Sequence, residues 1–328
     1  MKKTWIITVL ALLLSWPLYN FTYKTLFTGW KTVTLQQEPI PRGENAFARV
    51  GDQFYLFGGR KKQTVDVYSL KTKQWKQVAQ VPMEMHHFQA VEYKGEIYVL
   101  GAFTGDYPHE TPIPNIYIYN PKKDEWRKGA DIPQDRRRGA AGVAVYQDKI
   151  YLVSGITDGH WDGHVTWLDE YDPKTGKWKK MADIPHARDH FQAAVVGGQL
   201  IVAGGRRSTQ KIKRVLDITV PEVDVYDFKQ GTWKTLPAAQ NIPTQRAGCT
   251  AVTVGNQVLI IGGESPQKLA HNQTEAFDLK TNSWQTLPTL QTGRHGTQAI
   301  VYNNKVYIAA GIGNSGGSPE LSSMEVLE

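Results

Sequence analysis

One pattern constrains the fold of this chain more than any other: an aromatic residue followed seven positions later by tryptophan. It occurs five times, as Tyr68–Trp75, Tyr119–Trp126, Tyr171–Trp178, Tyr226–Trp233 and Phe277–Trp284. An alternating strand precedes each aromatic residue, a turn-rich segment such as NPKKDE separates the pair, and a short strand follows each tryptophan. Each copy therefore predicts two strands joined by a turn, and the copies recur about every 50 residues.

A second pattern lies upstream of the first and occurs six times. It is a strand that ends in small residues, as in FYLFGG, and its copies end at Gly59, Ala102, Gly155, Gly205, Gly263 and Gly311. Another apolar strand precedes each copy, so one unit holds four short strands. A four-stranded sheet with two apolar faces cannot bury both alone, and the units must therefore stack against one another. The 30 glycines and 17 prolines fit the many tight turns of such an all-β fold.

These units resemble kelch repeats over nearly all of residues 29–328. The resemblance implies an all-β, six-bladed kelch β-propeller with four antiparallel strands in each blade. In such a ring the small residues lie where neighbouring sheets press together, and the tryptophan rings fill the wedges between blades.

The two ends of the chain supply complementary parts of one blade. The sixth unit ends with the strand MEVLE and lacks a tryptophan strand, whereas the segment GWKTVTL, with Trp30, precedes the first unit. We expect the N-terminal segment to pair as the outermost strand of the C-terminal blade, because this closes the ring and protects its edges.

The first 28 residues differ from the repeats. Two lysines are followed by an apolar run from Trp5 to Leu18, which is the order of a secretory leader. We interpret residues 1–28 as a signal peptide or an uncleaved signal anchor, with membrane anchoring through residues 5–21 in the second case. Either interpretation predicts an exported protein, periplasmic or extracellular. The single cysteine excludes an intrachain disulfide but does not identify the compartment.

The loops predict which face of the propeller carries function. The turns on one face, the bottom, are short hairpins such as KGE and NNK. On the opposite face, the top, the loops between the second and third strands of a blade are long and span 103–115, 156–167, 206–222, 264–273 and 312–323. Long irregular loops on a rigid scaffold are usually functional, so we expect a site at the top mouth of the central channel.

Polar residues at the start of each innermost strand should face that mouth. Arginine recurs there in five of the six blades, and Arg42, Arg138 and Arg246 are candidate ligand contacts; the alternative is that these arginines bond loop carbonyls between blades. The neighbouring columns vary from blade to blade, and irregular polar residues in a regular frame indicate function. The candidates there and in the long loops are Glu44, His87, Asp189, His190, His295, Arg206 and Trp161.

The stretch TDGHWDGHV, residues 157–165, lies in the long loop of blade 3. His160 and His164 are candidate metal ligands, with His190 from the next blade as a third. Gly159 and Gly163 break any helix, so the alternative is a polar loop with hydrated imidazoles. Trp161 has no place in the repeat, and it either contacts a ligand or folds back to cap the loop. Apart from this metal site, no cofactor is expected.

These residues lead to one interpretation and two alternatives. The leading hypothesis is an exported kelch-repeat binding protein whose top-face loops and channel mouth bind a glycan or a protein. The first alternative is a mutarotase or epimerase of an anionic sugar. The chain resembles N-acetylneuraminate epimerases in size and compartment, and Glu44 and His190 would then be the catalytic acid and base. The second alternative is a metal-dependent enzyme with the histidine site on the top face.

Charge argues against a nucleic-acid partner. The net charge is +7, but the basic residues are scattered, and the densest run, RRSTQKIKR at 206–214, accompanies no recognition motif and is interpreted as a solvated loop. We expect a monomer. A deep closed pocket would favour an enzyme, whereas a shallow aromatic mouth would favour a binding module.

Overall fold

The computed structural model of the protein describes residues 27–328. These residues form six four-stranded antiparallel sheets and two short two-stranded ribbons. The fold is a six-bladed β-propeller, which confirms the prediction of six all-β units. The predicted leader, residues 1–28 with its anchor segment 5–21, lies outside the described residues except at its last two positions.

Blades 1 to 5 each take their four strands from one sequence repeat, ordered from the channel outwards. The first strand within residues 27–328, β1 (Trp30–Thr32), precedes the repeats. Blade 1 consists of β2 (Asn45–Val50), β3 (Gln53–Gly58), β4 (Thr64–Ser69) and β5 (Gln74–Gln80). Blade 2 consists of β6 (Val91–Tyr93), β7 (Glu96–Val99), β10 (Asn115–Asn120) and β11 (Glu125–Asp131), and its long loop forms the ribbon of β8 (Phe103–Thr104) and β9 (Thr111–Pro112).

Blades 3 and 4 follow the same order. Blade 3 consists of β12 (Gly142–Tyr146), β13 (Lys149–Val153), β16 (Leu168–Asp172) and β17 (Lys177–Lys180), and its loop forms the ribbon of β14 (Ile156–Asp158) and β15 (Asp162–His164). Blade 4 consists of β18 (Ala193–Val196), β19 (Gln199–Val202), β20 (Asp224–Asp227) and β21 (Thr232–Thr235). The described part of the chain also has three short 3-10 helices in connections, at Gln134–Arg136, Gln210–Ile212 and Ala238–Gln240.

Blade 6 is assembled from both ends of the chain. Blade 5 consists of β22 (Thr250–Val254), β23 (Gln257–Ile261), β24 (Thr274–Asp278) and β25 (Ser283–Leu287), and blade 6 of β26 (Ala299–Tyr302), β27 (Lys305–Ala309), β28 (Met324–Leu327) and β1. Trp30 pairs with Leu327 and Thr32 with Glu325, antiparallel. The predicted closure by the N-terminal strand is therefore confirmed.

The tryptophans of the repeat join neighbouring blades. Each pairs across its hairpin with its aromatic partner, as Tyr171 does with Trp178. The Trp178 indole N–H donates to the Asp131 carbonyl of the preceding blade at 3.0 Å, and Trp233 repeats this contact with Ala182 at 2.7 Å. The indoles thus fill the wedges between blades, as the spacing predicted.

Three buried glutamines close the channel below its top mouth. Gln89 accepts hydrogen bonds from the backbone N–H groups of Val143 and Ala193, in blades 3 and 4. Gln298 of blade 6 reaches Ala90 of blade 2 and bonds both its N–H and its carbonyl. Gln192 of blade 4 bonds across to blades 5 and 6. The mouth is therefore a pocket with a floor. In residues 27–328, no helix has the length and apolar character needed to cross a membrane.

Candidate functional site

Six residues at the top of the channel, one from each blade, form a closed ring of backbone hydrogen bonds. The N–H of each donates to the carbonyl of the equivalent residue in the preceding blade, at 2.6 to 3.1 Å. Blade 1 is the exception: there Asn45, and not Glu44, donates its N–H to the Gly296 carbonyl and so closes the ring. The ring residues are Glu44, His87, Ala140, His190, Gly248 and Gly296.

All six ring residues adopt the left-handed backbone conformation, with φ between 49° and 60°. This conformation costs a residue other than glycine roughly 1–2 kcal/mol. Glu44, His87 and His190 hold it because the ring of hydrogen bonds over-determines the backbone, and such strain concentrates at functional sites. At Gly296 a side chain would collide with the site, since a Cβ there would lie 2.8 Å from the Glu44 carboxylate.

Three histidines from two ring positions and one loop meet at this mouth. His87 and His190 come from the ring, and His160 descends from the blade 3 loop. The centroids of the imidazole rings lie 4.9 Å apart for His87 and His190, 5.1 Å for His87 and His160, and 4.5 Å for His160 and His190. All three side chains are buried, and one ring nitrogen of each lies within 4.8 Å of the other two.

Carboxylates hold two of these imidazoles in a defined tautomer. His160 Nδ1 donates to Glu110 Oε1 at 2.9 Å, and Arg60 donates to the same oxygen at 2.7 Å. His190 Nδ1 donates to Asp189 Oδ1. Because a carboxylate only accepts, Nδ1 carries the proton in both rings, and Nε2 of the neutral imidazole keeps its lone pair. His190 Nε2 is buried without a hydrogen-bond partner among residues 27–328.

The third imidazole is held by another histidine. His86 Nδ1 and His87 Nδ1 are 2.6 Å apart, and His86 Nε2 lies 3.1 Å from the Gly105 carbonyl oxygen. On its other side, His87 Nε2 lies 3.4 Å from Glu44 Oε2. Burial lowers the pKa of His87 well below its usual value, and the neighbouring His86 and His190 add to this. His87 is therefore neutral around pH 7.

Asp189 is a hub that orients the groups around His190. It accepts hydrogen bonds from the Ser208 N–H at 2.8 Å and the Ser208 hydroxyl at 2.7 Å. His164 Nε2 lies 3.0 Å from its second oxygen. Although burial alone would raise the pKa of Asp189, His190 and His164 hold it well below its usual range. Burial and the nearby Arg206 lower the pKa of His190, so the pair consists of a carboxylate and a neutral imidazole.

A second group of charged residues faces the histidines across the mouth. Arg206 donates to Glu264 Oε1 at 2.5 Å, and His295 Nε2 lies 3.4 Å from the other oxygen of Glu264. His295 Nδ1 lies 3.8 Å from Glu44 Oε1. Burial raises the pKa of Glu44, whereas His295 opposes the shift. The opposite holds for Glu264, where His295 and Arg206 outweigh burial and lower the pKa to about 2.

The loops of all six blades enclose a cavity of about 640 Å³ above this floor. The walls contain Arg60 and Tyr107 from blades 1 and 2, Leu216 from blade 4 and Glu320 from blade 6, and the base contains ring and loop residues described above. Tyr107 is 49% exposed at the rim. The mouth is therefore a walled pocket with a mostly polar base and titratable groups.

The structure brings together most of the sequence-selected residues. Those that lie in the base or in its immediate hydrogen-bond network are Glu44, His87, His160, Asp189, His190, Arg206 and His295. Arg206 departs from the expectation of a solvated run at 206–214, because its side chain is buried against Glu264. Their roles remain predictions.

Three arginines selected as ligand contacts lie elsewhere. Arg42, Arg138 and Arg246 are fully buried inside their own blades, where each guanidinium bonds backbone carbonyls and one carboxylate of the third strand. This corrects the prediction that these groups face the mouth. The physical reason is the direction of the side chain, which runs outward between strands because a carboxylate there compensates the buried charge. The carbonyls that they bond belong to their own blade and not to a neighbouring one.

Two residues of the blade 3 loop also require correction. His164 turns to Asp189 and is not part of the histidine cluster, so the predicted pair of His160 and His164 does not converge. Trp161 is half-buried against His109 of the blade 2 loop, with ring centroids 4.7 Å apart, and does not line the cavity. This matches the alternative in which the indole folds back onto the loops.

Three residues of the site, Arg60, Glu110 and Glu264, are not expected from the sequence, whereas a fourth, His86, stands beside His87 among the irregular polar residues at the start of an innermost strand. Arg60, His86, Glu110 and Glu264 supply partners to the central groups. Two of them carried a usable signal: Glu110 and Glu264 are acidic residues within the long top loops, opposite a histidine-rich ring. The partner of each depends on contacts between blades, which no local pattern records.

Comparison with known proteins identifies the family. Residues 15–269, well over half of the chain, match the Attractin/LZTR1 β-propeller family. The chain is 28% identical over 302 residues to Kelch-like protein terF of Aspergillus terreus, covering 86% of this chain and 64% of the relative. It is 26% identical over 265 residues to human Kelch-like protein 38, covering 79% of this chain and 42% of the relative. The chain thus spans less than two thirds of the length of these relatives.

A solved structure shows the same fold. The structure titled "Structure of YjhT" superposes with a TM-score of 0.73 at 18% identity, covering 88% of this chain and 95% of the other. At that identity the likeness concerns the fold. The named relatives are kelch proteins, and the family match takes in most of the propeller. The chain therefore belongs to the kelch-repeat β-propellers of the Attractin/LZTR1 family.

Proposed function

We propose that the protein binds one small polar molecule, of the size and hydroxyl content of a sugar, in the cavity at the top mouth. One observation carries this proposal: the loops of all six blades wall a cavity of about 640 Å³ that ends on a floor. Small-molecule sites are typically concave and of about 300–1,000 Å³.

The lining suits a polyhydroxylated ligand. Carboxylates and imidazoles alternate around the base, at Glu44, His87, Glu264 and His295, and such groups bind hydroxyls as both donors and acceptors. Tyr107 adds an exposed aromatic face at the rim, on which the apolar face of a sugar ring packs. We therefore prefer a glycan to a protein as the ligand. The cavity would hold one sugar residue, either free or at the end of a glycan chain.

A protein partner is the principal competitor, because kelch propellers generally bind proteins. Stable protein interfaces bury about 800 Å² on each side and use a central apolar cluster. Among residues 27–328, the large hydrophobic side chains that are exposed are Tyr107, Ile212 and Leu269. They come from three different loops, so the top face gives less support to a large apolar docking surface than to a pocket.

The anionic-sugar epimerase hypothesis receives less support. An enzyme that acts on an anionic sugar needs cations that bind the sugar carboxylate, and the candidate arginines Arg42, Arg138 and Arg246 are buried within blades. The arginines that do reach the cavity, Arg60 and Arg206, are paired with Glu110 and Glu264. We therefore favour a neutral polar ligand. Export to a periplasmic or extracellular compartment remains part of the proposal and rests on the order of charge and apolarity in residues 1–28.

The test is a binding screen with a pair of matched surface variants. The purified full chain is titrated with neutral monosaccharides, disaccharides, amino sugars and sugar acids, by calorimetry and saturation-transfer NMR. We expect saturable binding of a neutral sugar, weakened about tenfold by Tyr107→Ala and unchanged by Ile212→Ala. Ile212 is 60% exposed and lies outside the cavity, so it controls for loss of an exposed apolar side chain.

Two results would overturn the proposal. One is no saturable binding of any class up to about 10 mM ligand. The other is binding that Ile212→Ala weakens as much as Tyr107→Ala does, which would place the ligand on the outer loop surface.

A further inference from the structure

The base of the mouth holds a cluster of three histidines, of which the sugar-binding proposal uses only His87. Among residues 27–328, His87, His160 and His190 form the one group of three or more metal-ligating side chains that lie close enough to share an ion. They come from three successive blades, and the chain separation between His87 and His190 exceeds 100 residues. Only the closed ring brings them together.

The partners of these rings match those of metal-binding histidines. A histidine that ligates a metal usually donates its other ring N–H to a carboxylate, which fixes the tautomer and orients the ring. His160 does so to Glu110 and His190 to Asp189, and both carboxylates are buried. The two acids are held in turn, Glu110 by Arg60 and Asp189 by Ser208. This supporting layer satisfies the buried ring N–H groups and also fixes the orientation of each ring, as it does around metal-binding histidines.

His190 Nε2 supplies an independent observation. Its side chain is 3% exposed, and Nε2 has no hydrogen-bond partner among the described residues. With Nδ1 protonated through its bond to Asp189, Nε2 carries a buried lone pair on a ring whose centroid lies 4.9 Å from that of His87 and 4.5 Å from that of His160. Leaving such a polar atom unsatisfied costs about 1–3 kcal/mol. A cation at the centre of the three rings would satisfy it.

We propose that His87, His160 and His190 bind one divalent transition-metal ion of the zinc type, through one ring nitrogen each. Imidazole nitrogen suits zinc, copper, iron and nickel, whereas magnesium and calcium prefer oxygen ligands. Three protein ligands leave a coordination position for water or substrate, as in catalytic zinc sites. Tetrahedral Zn–N bonds of about 2.0–2.1 Å place ligand nitrogens about 3.3 Å apart, so the rings close in modestly when the ion binds.

The histidine cluster lies at the base of the cavity in which we propose that a small molecule binds. His87 and His160 line that cavity, so the open coordination position faces a small bound molecule. Glu44 Oε2, 3.4 Å from His87 Nε2, is a carboxylate at the edge of the same cluster. Metal binding is measured without any organic ligand, so it can be tested separately from sugar binding.

Metal analysis of the full chain tests the inference. The protein is purified without a polyhistidine tag, stripped with a chelator, and titrated with ZnCl2 and with CoCl2 by calorimetry and elemental analysis. We expect one equivalent of zinc for each chain, and a cobalt form with the intense visible absorption of a four-coordinate ion. His160→Gln and His190→Gln should each abolish the stoichiometric binding, and Asp189→Asn should weaken it about 10–100-fold.

The control is His109→Ala. His109 lies in a top loop, but it is exposed and its partner Asp158 is exposed too, so this variant should bind one equivalent like the unaltered chain. Glutamine keeps much of the volume of histidine, and circular dichroism and the thermal midpoint verify that each variant is folded. If a glutamine variant does not fold, the Glu110→Gln variant provides the same test, with a loss of about 10–100-fold expected.

Two outcomes overturn the inference. Substoichiometric binding by the unaltered chain would show that the cluster holds no zinc-type ion. One equivalent that survives in folded His160→Gln and His190→Gln chains, or that disappears with His109→Ala, would place the metal elsewhere.

Discussion

Arg246 and Glu275 form an ion pair in the interior of blade 5. Arg246 Nη1 donates to Glu275 Oε2 at 2.6 Å, and the two residues are 0% and 4% exposed. Equivalent pairs occur in four other blades, and the five together are Arg42–Asp66, Arg138–Asp169, Arg188–Asp224, Arg246–Glu275 and Arg294–Glu325. Blade 2 lacks both partners at once. Met85 occupies its arginine position, and Tyr117 its carboxylate position, two residues before Tyr119. The arginine and the acid therefore form one unit of the blade.

This unit predicts a large and non-additive loss of stability. Arg246→Met should lower the free energy of unfolding by about 3–5 kcal/mol, because it leaves the Glu275 carboxylate buried and unpaired. Combining it with Glu275→Tyr, which copies blade 2, should recover at least half of that loss. Urea unfolding of both single variants and the double variant measures the coupling. Losses that simply add would contradict the paired role. Zinc and sugar binding should persist in the folded Arg246→Met chain.

The glutamine floor predicts a local effect on one amide. Gln298→Ala removes the partners of both the N–H and the carbonyl of Ala90 and should cost about 1–3 kcal/mol. Hydrogen exchange at the Ala90 amide should speed up beyond the global change, whereas the exposed Gln147→Ala should leave it unaltered. Uniform acceleration at all amides would mean that the side chain only fills space.

The strained ring predicts a stabilising substitution. Ala140 holds the left-handed conformation at φ 49°, and glycine adopts it without the steric penalty. Ala140→Gly should raise the free energy of unfolding by about 0.5–1 kcal/mol, after the greater entropy of the unfolded glycine chain is subtracted. Thermal and urea unfolding measure it. The matched substitution Ala144→Gly, in the adjoining strand, should be destabilising, and a similar sign for both would refute the strain.

Ring closure predicts unequal roles for two tryptophans. Trp30 is buried in the last blade, and its indole N–H donates to Thr274 Oγ1 of blade 5 at 3.0 Å. Trp30→Ala should cost about 3–5 kcal/mol. Trp161→Ala, which removes a half-buried ring from a loop, should cost less than about 1 kcal/mol. Equal losses in urea unfolding would mean that the N-terminal strand does not close the propeller.

Alkaline pH should destabilise the fold through a buried phenol. Burial raises the pKa of Tyr55 to about 12, and Asp52 and Asp124 act in the same direction. A tyrosine in an unfolded chain ionises near pH 10. Below about pH 10 both states keep the proton; between about pH 10 and 12 only the unfolded state loses it, so the free energy of unfolding falls as pH rises. Urea unfolding from about pH 9 to about pH 11 measures the slope, which Tyr55→Phe should reduce. An unchanged slope in that variant would assign the effect to other groups.

The blade count, the closure of the ring and the face with long loops could all be predicted from the amino-acid sequence. The reason is that these depend on periodic features, namely the paired aromatic residues and the strands ending in small residues, which are visible in the local sequence of the repeats. The sequence also indicated most of the polar residues of the mouth, because they interrupt the regular pattern of the repeats; these are Glu44, His87, His160, Asp189, His190, Arg206 and His295.

The directions of those side chains, and the contacts between them, depend on the folded propeller and could not be predicted from the sequence. Arg246 and His190 both precede an innermost strand, yet one runs into its blade towards a carboxylate and the other faces the channel from a left-handed backbone. His160 packs beside His87 and His190 and not beside its sequence neighbour His164. The reason is that the ribbon of β14 and β15 places His160 against Glu110 and His164 against Asp189. Direction follows from backbone dihedrals and from the charge that each group must satisfy, and contact between blades follows from the closed ring. Neither the direction of a side chain nor its contacts with another blade can be predicted from the sequence of a single repeat.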